Sequence, residues 1–519
     1  MGARKNFILR FLDVVERVGN KLPDPVTLFV VFCGLVLVAS WWAGSSGLSV
    51  IHPNGTTVTA NNLLSIEGIR GMFMNAIKNF TDFPPLGLSL VIMIGMGVAE
   101  GSGLINVGLR ALVTSVPKSL LSATVVFAGV NSSLAADAGY VVLVPLGALA
   151  FASVGRHPLA GLSLAFAGVA GGFSANLLIT SLDPLLGGLS TSAAQLLAPG
   201  YVVQSSANYY FMIAATFMLT IVGTLVNDFI VEPKLGKWTP PADLKVGLDR
   251  ITKVERKGLW AAGIVFIFIL GLFFWLSKDP GGIFQLAPDA AKPFKTAVEA
   301  FEPLFKSLVM ILTLLFLFCG LAYGFVTRSI RNDKQVSKMM ADSLSTMGHY
   351  LVLAFVAAQF VAYFRDSNLG IITAIEGAQL LKSLHLTGTP ALLIFILIAA
   401  GINLLIGSAS AKWAILAPVF VPMMMLQGIS PELTQATYRV GDSVTNIITP
   451  LLPYFPLIVA FAQKYDKKAG IGTVISCTLP YSFCFLITWA VLLMVWMWLG
   501  MPLGPGGPLN FDLSLIQAK

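Results

Sequence analysis

The chain has 519 residues, of which 56% are hydrophobic and 11% are charged, and its mean hydropathy is +0.81. A soluble domain carries about 25% Asp, Glu, Lys and Arg, so this composition excludes a soluble enzyme, a coiled coil and a disordered chain, and predicts an all-α polytopic membrane protein. The formal charge of +8 does not indicate a nucleic-acid partner, because the basic residues lie in short gaps between apolar runs rather than in one patch.

Nine apolar runs are long enough to cross a bilayer core of about 30 Å as helices. They lie at 26–43, 86–105, 161–182, 209–231, 259–277, 304–327, 346–364, 441–463 and 471–499. Two further stretches, 119–154 and 391–427, are too long for one crossing, and small polar residues interrupt each near its middle. Each is predicted to form a re-entrant hairpin of two half-length helices. The polar tips are Asn131-Ser132-Ser133 in the first hairpin and Gly407-Ser408-Ala409-Ser410 in the second.

The distribution of basic residues orients the chain, because Lys and Arg concentrate on the cytoplasmic side of a membrane. With the N-terminus inside, 22 of the 33 Lys and Arg residues fall in inner segments. The predicted organisation is a cytoplasmic segment 1–25, a first membrane half 26–231, a cytoplasmic loop 232–258, connecting helices 259–345, a second half 346–499 and a periplasmic tail 500–519.

The two halves contain an internal repeat. The first half has Gly129-Val130-Asn131 and, 45 residues after Asn131, Asn176 in the sequence Ser-Ala-Asn-Leu-Leu-Ile-Thr. The second half has Gly401-Ile402-Asn403 and, 43 residues after Asn403, Asn446 in the sequence Ser-Val-Thr-Asn-Ile-Ile-Thr. Each half also has a helix, a broken hairpin, a crossing with a polar interruption and another crossing. The loop charges give the halves opposite orientations, which is the inverted-topology repeat of many secondary transporters.

Ionisable residues within apolar runs are functional candidates, because charge at membrane depth is costly. They are Glu100, Asp137, Asp183, Asp228, Lys412, Arg439 and Asp442. Arg439 and Asp442 are three residues apart and would share one helix face, either as a helix-end ion pair or as an ion-coupling site with Arg439 as the partner. Asp183 precedes Pro184 where a helix is expected to unwind, so it is either a turn residue or a second coupling carboxylate.

Neutral polar residues are candidates for the cavity between the halves. They are Asn131, Ser132, Ser133, Asn176, Asn403, Ser408, Ser410 and Asn446. Their side chains either coordinate Na⁺ or a polar substrate, or brace broken backbone. Helix N-termini at the tips would favour a substrate with a carboxylate, and Trp413, just beyond the second tip, could stack on an aromatic ring.

Motifs for catalysis are absent from the sequence. It contains no H-E-x-x-H, no G-x-x-x-x-G-K-[ST] phosphate loop and no C-x-x-C. We therefore expect no enzyme activity and no cofactor. A transporter without a nucleotide site must draw on an ion gradient, of H⁺, Na⁺ or both, and a continuous channel is the alternative from another functional class.

Several motifs resemble the AbgT family of p-aminobenzoyl-glutamate transporters. They are Gly155-Arg-His-Pro-Leu-Ala-Gly161, Gly171-Gly-Phe-Ser-Ala-Asn-Leu177, Asp183-Pro-Leu-Leu186, Gly407-Ser-Ala-Ser-Ala-Lys-Trp413 and Tyr438-Arg-Val-Gly-Asp442. The resemblance runs from Pro23 through nearly the whole chain. It implies a homodimer in the bacterial inner membrane, with nine helices and two hairpins per chain. It also implies ion-driven import of p-aminobenzoyl-glutamate or export of sulfonamide antimetabolites.

The resemblance also implies roles for particular residues. Asp183, Trp413, Arg439 and Asp442 match functional positions of the family. Asn403 and Asp442 are expected near a cation such as Na⁺, with Pro431 in a nearby loop. Relatives often have Ser-Asn-Thr at the first tip, where this chain has Asn-Ser-Ser. A Na⁺-coupled dicarboxylate or citrate transporter of related fold is the alternative function.

Overall fold

The computed structural model describes residues 23–53, 55–135, 139–238, 251–288 and 300–517. Asp137, most of the predicted N-terminal segment 1–25 and residues 239–250 of the predicted loop 232–258 lie outside these ranges.

The described residues are mostly helical. In chain order, the helices are α1 (Pro25–Ser45), α2 (Ile66–Thr81), α3 (Pro84–Gly101), α4 (Leu104–Thr114), α5 (Leu121–Asn131), α6 (Val144–Ser153), α7 (Pro158–Phe166), α8 (Leu182–Ala194), α9 (Tyr209–Val226), α10 (Glu232–Leu235), α11 (Lys253–Leu276), α12 (Glu302–Lys306), α13 (Leu308–Thr327), α14 (Asp333–Ser345), α15 (Gly348–Asp366), α16 (Leu369–Ser383), α17 (Thr389–Asn403), α18 (Ala409–Met425), α19 (Pro431–Val444), α20 (Phe455–Gln463), α21 (Ile471–Trp498) and α22 (Ser514–Gln517). Two short strands, β1 (Ser49–Ile51) and β2 (Thr57–Thr59), pair antiparallel with Val50 opposite Val58.

Seven helical segments among the described residues are long and apolar enough to cross a membrane. They are Pro25–Ser45, Ile66–Gly101, Tyr209–Leu235, Lys253–Leu276, Leu308–Thr327, Gly348–Asp366 and Ile471–Trp498. Each of the seven contains or overlaps one of the nine predicted runs, so the hydrophobic length of the sequence located these helices correctly.

The other two predicted runs, 161–182 and 441–463, are the crossings for which a polar interruption was expected, and neither of them is a continuous helix. Residues 167–171 continue α7 as a π-helical turn, residues 172–181 are non-helical, and α8 then begins. In the second half α19 ends at Val444, residues 445–454 are non-helical, and α20 follows. Glycines at 171 and 172 and prolines at 450 and 453 favour these breaks, because neither residue type supports an uninterrupted helix.

The two predicted hairpins each contain a pair of short helices. In the first, α5 ends at Asn131, and a π-helical turn over 139–143 leads into α6. In the second, α17 ends at Asn403 and α18 begins at Ala409. All four helices are shorter than the ~20 residues that a full crossing needs. The interruptions fall at the predicted polar tips.

Two wholly buried helices lie at the centre of the two halves. Every residue of α7 is buried, and so is every residue of α19. α7 packs against α5 and α6, while α19 packs against α17 and α18. The halves meet where α8 packs against α18 and α19. Because α19 is polar in sequence, its burial requires that its side chains find partners within the protein.

Close packing of α19 on α17 depends on Gly441. A Cβ atom added at Gly441 would lie 2.4 Å from the Ile396 carbonyl oxygen, which belongs to backbone and cannot rotate away. We therefore expect Gly441→Ala to lower the free energy of unfolding by about 1–3 kcal/mol, measured by SDS-induced unfolding in detergent micelles. Gly401→Ala, in α17, is the matched control. A Cβ there meets no atom within 4 Å, so its stability should not fall. Equal stability of the two variants would contradict this packing.

Candidate substrate and ion site

The start of α19 sets the position of the charged residues it carries. Ser430 caps the helix by accepting a hydrogen bond from the Leu433 N–H at 3.0 Å, and its own hydroxyl donates to the Pro508 carbonyl at 2.6 Å. Pro431 is the first residue of the helix, where a missing N–H costs nothing. The expectation that Pro431 lies in a loop is therefore wrong. It precedes Arg439 by about 12 Å of helix rise, so it does not join the charged cluster.

The first buried ion pair joins the two halves. Arg439 in α19 contacts Asp183, the second residue of α8, with 2.5 Å between guanidinium nitrogen and carboxylate oxygen. The other oxygen of Asp183 accepts hydrogen bonds from the N–H and hydroxyl of Thr180, at 2.6 and 3.1 Å. The N-terminal end of α8 also favours a carboxylate in its first turn. Asp183 is thus both a turn residue and the counter-ion of Arg439.

The second buried ion pair lies within the second half. Lys412 in α18 contacts Asp442 in α19, with 2.5 Å between the ammonium nitrogen and a carboxylate oxygen. The same oxygen accepts a hydrogen bond from the Tyr438 hydroxyl at 2.9 Å, and the Lys412 ammonium also donates to the amide oxygen of Asn403. Both charged side chains are 1% exposed. Asp442 is thus held by Lys412 and Tyr438.

The predicted pairing of Arg439 with Asp442 is therefore wrong. Their spacing does place them within one turn of α19, but Arg439 contacts α8 and Asp442 contacts α18. Each of these four charges meets an opposite charge on a neighbouring helix, which leaves the cluster of Asp183, Lys412, Arg439 and Asp442 with no net formal charge. An uncompensated charge in this place would be strongly destabilising.

Trp413 lies beside the cluster and is fully buried. Its ring stacks on Tyr438, with 4.5 Å between ring centroids and 24° between ring planes. The indole N–H donates to the Ser190 hydroxyl at 3.0 Å, and Ser190 in turn donates to the side-chain oxygen of Gln435 at 2.7 Å. In this conformation Tyr438 therefore covers the ring that we expected to contact substrate. A stacked substrate would require the two rings to separate.

Asparagine side chains brace the breaks in the second half. The amide nitrogen of Asn403 lies 2.5 Å from the Asp442 carbonyl oxygen, 2.8 Å from the Thr445 hydroxyl and 2.9 Å from the Asn446 side-chain oxygen. Asn446 donates to the Ala170 carbonyl of the first half at 3.1 Å. At the tip, Ser408 caps α18 and lies 3.3 Å from the Ser410 hydroxyl. The contacts of Asn403 connect the second hairpin to the end of α19, and the contact of Asn446 connects this region to the first half.

The first half is braced in the same way but carries no charges at the matching positions. Asn131 accepts a hydrogen bond from the Leu177 N–H at 3.0 Å, and Ser133 donates to the Phe173 carbonyl at 3.1 Å. Ser132 donates within its own turn, to the Gly129 carbonyl at 2.7 Å. Asn176 is buried, and its side-chain oxygen has no hydrogen-bond partner among the described residues. Asn131 and Ser133 therefore brace backbone at the first tip, which is one of the two alternatives that the sequence left open.

Counting from the paired asparagines shows how the halves differ. Lys412 follows Asn403 by nine residues, and the residue nine after Asn131 is Tyr140. Asp442 precedes Asn446 by four residues, and the residue four before Asn176 is Gly172. Neither of these counted positions in the first half carries a charge.

Several contributors to the site were not assigned by the sequence analysis, among them Tyr438, Ser190 and Gln435. Tyr438 hydrogen-bonds Asp442, and Ser190 and Gln435 form the hydrogen-bond chain from Trp413. The spacing of Tyr438 and Asp442 by four residues was an available signal, because such residues are neighbours on a helix. Ser190 offered none, since it lies 223 residues from Trp413 in the chain.

Comparison with known proteins places these observations in a family context. A model described as the AbgT putative transporter family matches residues 10–511. The p-aminobenzoyl-glutamate transport protein of Escherichia coli is 39% identical over 493 residues, covering 95% of each chain. The YdaH transporter of Alcanivorax borkumensis has a TM-score of 0.87 and 46% identity, covering 93% of this chain and 100% of that one. MtrF of Neisseria gonorrhoeae, assigned to a class of antimetabolite efflux pumps, has a TM-score of 0.89 and 47% identity, covering 96% and 100%. These relatives are transport proteins and not enzymes.

Proposed function

Because this chain belongs to the AbgT putative transporter family, we propose that it carries p-aminobenzoyl-glutamate or sulfonamide-type folate antimetabolites across the membrane by alternating access. The Escherichia coli relative is named for the first substrate, and MtrF is assigned to antimetabolite efflux. A gradient of H⁺, Na⁺ or both drives the cycle. The membrane is the bacterial inner membrane, and the working unit is a homodimer.

The observation that carries the proposal is the pair of buried salt bridges where broken helices of the two halves meet. Four charged side chains, each 3% exposed or less, are buried there. Such a cluster is unusual in a chain of which only 11% of the residues are charged. Charges inside a membrane protein mark transport pathways, because a purely structural contact would be met more cheaply by apolar residues. Breaks in helices at such a site are tolerated where they face a cavity that opens to water.

The cluster suggests how substrate is recognised. Both proposed substrates carry an aromatic ring, and p-aminobenzoyl-glutamate also carries carboxylates. Arg439 would exchange Asp183 for an anionic group of the substrate, since a guanidinium binds a carboxylate in paired hydrogen bonds. Trp413 would receive the aromatic ring after Tyr438 moves aside. Asp183, released from Arg439, and Asp442 would then be the carboxylates that respond to the coupling ion.

The proposed topology has nine spanning segments, two of them broken, and two re-entrant hairpins that open to opposite sides. The N-terminus lies in the cytoplasm and the C-terminus in the periplasm, as the excess of Lys and Arg in the inner segments favours. The first membrane half covers residues 26–231 and the second covers 346–499, with the cytoplasmic loop 232–258 and the connecting helices 259–345 between them.

Cysteine accessibility tests the opposed hairpins. In a variant without the native cysteines, we expect Ser133→Cys to react with a membrane-impermeant maleimide from the cytoplasmic side and Ser408→Cys to react from the periplasmic side. Both side chains are partly exposed. Labelling of both from the same side would contradict the inverted arrangement, whereas labelling of neither would contradict a water-filled cavity.

Transport in proteoliposomes tests the function itself. We expect labelled p-aminobenzoyl-glutamate or a sulfonamide to accumulate under an imposed ion gradient and to stop accumulating when the gradient is collapsed. Succinate is the comparison substrate, because uptake of succinate alone would favour the Na⁺-coupled dicarboxylate alternative. Downhill flux at channel-like rates that an Asp442→Asn variant retains would refute a carrier.

A further inference from the structure

Glu432 is a buried carboxyl group that the charged cluster does not include. It is the second residue of α19 and is 1% exposed. Within the described part of the chain, no basic side chain forms an ion pair with it. The Tyr201 hydroxyl lies 3.0 and 3.1 Å from its two carboxyl oxygens. Glu432 therefore differs from Asp183 and Asp442, each of which has a buried cation as its partner.

The contact between Glu432 and Tyr201 is part of a polar seam between the two halves. The seam consists of three side-chain contacts between α19 and the chain from α8 onward: Arg439 with Asp183, Gln435 with Ser190 and Glu432 with Tyr201. The three residues of α19 are spaced by three and four positions, so they lie on one face of the helix. A helix rises about 1.5 Å per residue, so Glu432 lies about 10 Å from Arg439, at the end of the seam away from the charged cluster.

The C-terminal tail, residues 503–511, covers this outer end of the seam. The Phe511 N–H donates to the Gly428 carbonyl of the second half at 2.8 Å. The Phe511 ring meets the ring of Tyr201, which belongs to the first half, edge to face with 5.6 Å between centroids. In the proposed topology the tail is periplasmic, so it separates Glu432 from the periplasmic solution.

Burial without a cation favours a proton on the Glu432 carboxyl. An ionised carboxylate at this place would be an unpaired charge away from water, which is costly. The first turn of a helix stabilises an anion, but that effect is small beside the cost of burying an unpaired charge. A neutral carboxyl keeps its hydrogen bond with the Tyr201 hydroxyl and leaves no charge between the halves.

The elements packed against α19 supply no unpaired counter-charge for this carboxyl. α17 and α21 contain no Asp, Glu, Lys, Arg or His. The charged groups of α8 and α18, Asp183 and Lys412, are paired with Arg439 and Asp442. Asp512, which follows the tail, is exposed to solvent. The titratable group in direct contact is Tyr201, and a tyrosine hydroxyl is neutral at neutral pH.

We propose that Glu432 is a proton-binding site separate from the charged cluster, and that its proton holds the outer ends of the two halves together through Tyr201. Loss of the proton leaves an unpaired charge in the polar seam, so the outer ends separate and water enters. In a proton-driven cycle, protonation from the periplasm therefore closes the outer side of the carrier. This last step rests on the proposed function, whereas the proton site itself is measured without transport.

Infrared spectroscopy of the purified full-length protein tests the proton site, because a protonated carboxyl has a carbonyl stretch that a carboxylate lacks. At neutral pH, the wild-type spectrum minus that of Glu432→Gln should contain this band, and raising the pH should remove it. Tyr201→Phe keeps the ring against Phe511 and should shift the band to higher frequency, since the carboxyl loses a hydrogen bond. Glu67→Gln changes an exposed glutamate of α2 and is the matched control, which should leave the band in place.

Thermal stability gives a second measurement with a defined sign. Above about pH 4.3 the unfolded chain loses the glutamate proton that the folded protein keeps, so a rise in pH favours unfolding. The melting temperature of the wild-type protein should therefore fall relative to that of Glu432→Gln, by about 2 °C over two pH units.

Three results would overturn the proposal. They are the absence of a protonated-carboxyl band that Glu432→Gln removes, an equal pH dependence of melting in the two proteins, and a Glu432→Gln variant that does not fold. The last counts because glutamine is a neutral match for protonated glutamate. No substrate is present in these measurements, so a failure of transport in proteoliposomes would refute the proposed function and leave the proton site unaffected.

Discussion

Arg439→Met should lower the free energy of unfolding by about 3–5 kcal/mol and abolish transport, because it leaves the Asp183 carboxylate buried without its cation. Asp183 is 2% exposed, so water cannot replace the lost partner. The two hydrogen bonds from Thr180 remain, but they offset only part of the cost of a buried charge. Unfolding by SDS in detergent micelles gives the stability, and uptake of p-aminobenzoyl-glutamate by proteoliposomes gives the activity.

Two further variants separate stability from transport at this pair. Asp183→Asn combined with Arg439→Met removes both charges and should recover much of the lost stability while transport stays absent. Lys306→Met breaks an exposed pair with Glu302, four residues away, and should leave both stability and transport unchanged, because exposed ion pairs contribute little. Full transport by the double variant would show that the pair is structural only.

The fold was largely predictable from the sequence because its main signal is the length of apolar runs. A bilayer imposes a minimum length on a helix, so seven spanning segments could be located without knowledge of their neighbours. The polar tips at 131–133 and 407–410 were predictable for the same reason, as interruptions of apolar sequence. The start of α19 at Pro431 was not, because residues 431–440 are polar and are buried only through their packing against other helices.

The charged residues of the site were predictable, but their pairing was not. Charge in an apolar run is rare enough to single out Asp183, Arg439 and Asp442. Sequence spacing then favoured the local pair within α19, whereas the structure pairs Arg439 with Asp183, 256 residues away, and Asp442 with Lys412. The partner of each charged side chain depends on how α8 and α18 pack against α19. A single sequence does not show which helices pack together, so it could not predict these pairs.

The neutral cluster also explains why substrate and ion would act together. In the described state each charge is balanced within the protein, so a ligand that takes one partner leaves the other uncompensated. An anionic substrate on Arg439 would free Asp183, which would then favour uptake of a proton or a cation. In the proposed cycle, binding of one would therefore lower the cost of binding the other, and this reciprocal dependence is what coupled transport requires.

Trp413→Ala should give the other large effect, a loss of about 3–5 kcal/mol in the free energy of unfolding together with loss of transport, because a fully buried aromatic ring is removed from the core. Trp489→Ala in α21 is the matched control. Trp489 is 1% exposed, so its loss of stability should be similar, but it lies outside the charged cluster, and the variant should transport normally per folded molecule.

Trp413→Phe distinguishes packing from recognition at the same position. Phenylalanine keeps an aromatic face for Tyr438 but loses the indole N–H, so the Ser190–Gln435 chain loses one hydrogen bond and stability should fall by about 1–2 kcal/mol. If Trp413 receives the aromatic ring of the substrate, transport by Trp413→Phe should persist with a weaker apparent affinity. Equal loss of transport in Trp413→Ala and Trp489→Ala, per folded molecule, would assign Trp413 to packing alone, since only a residue that contacts substrate should separate the two variants.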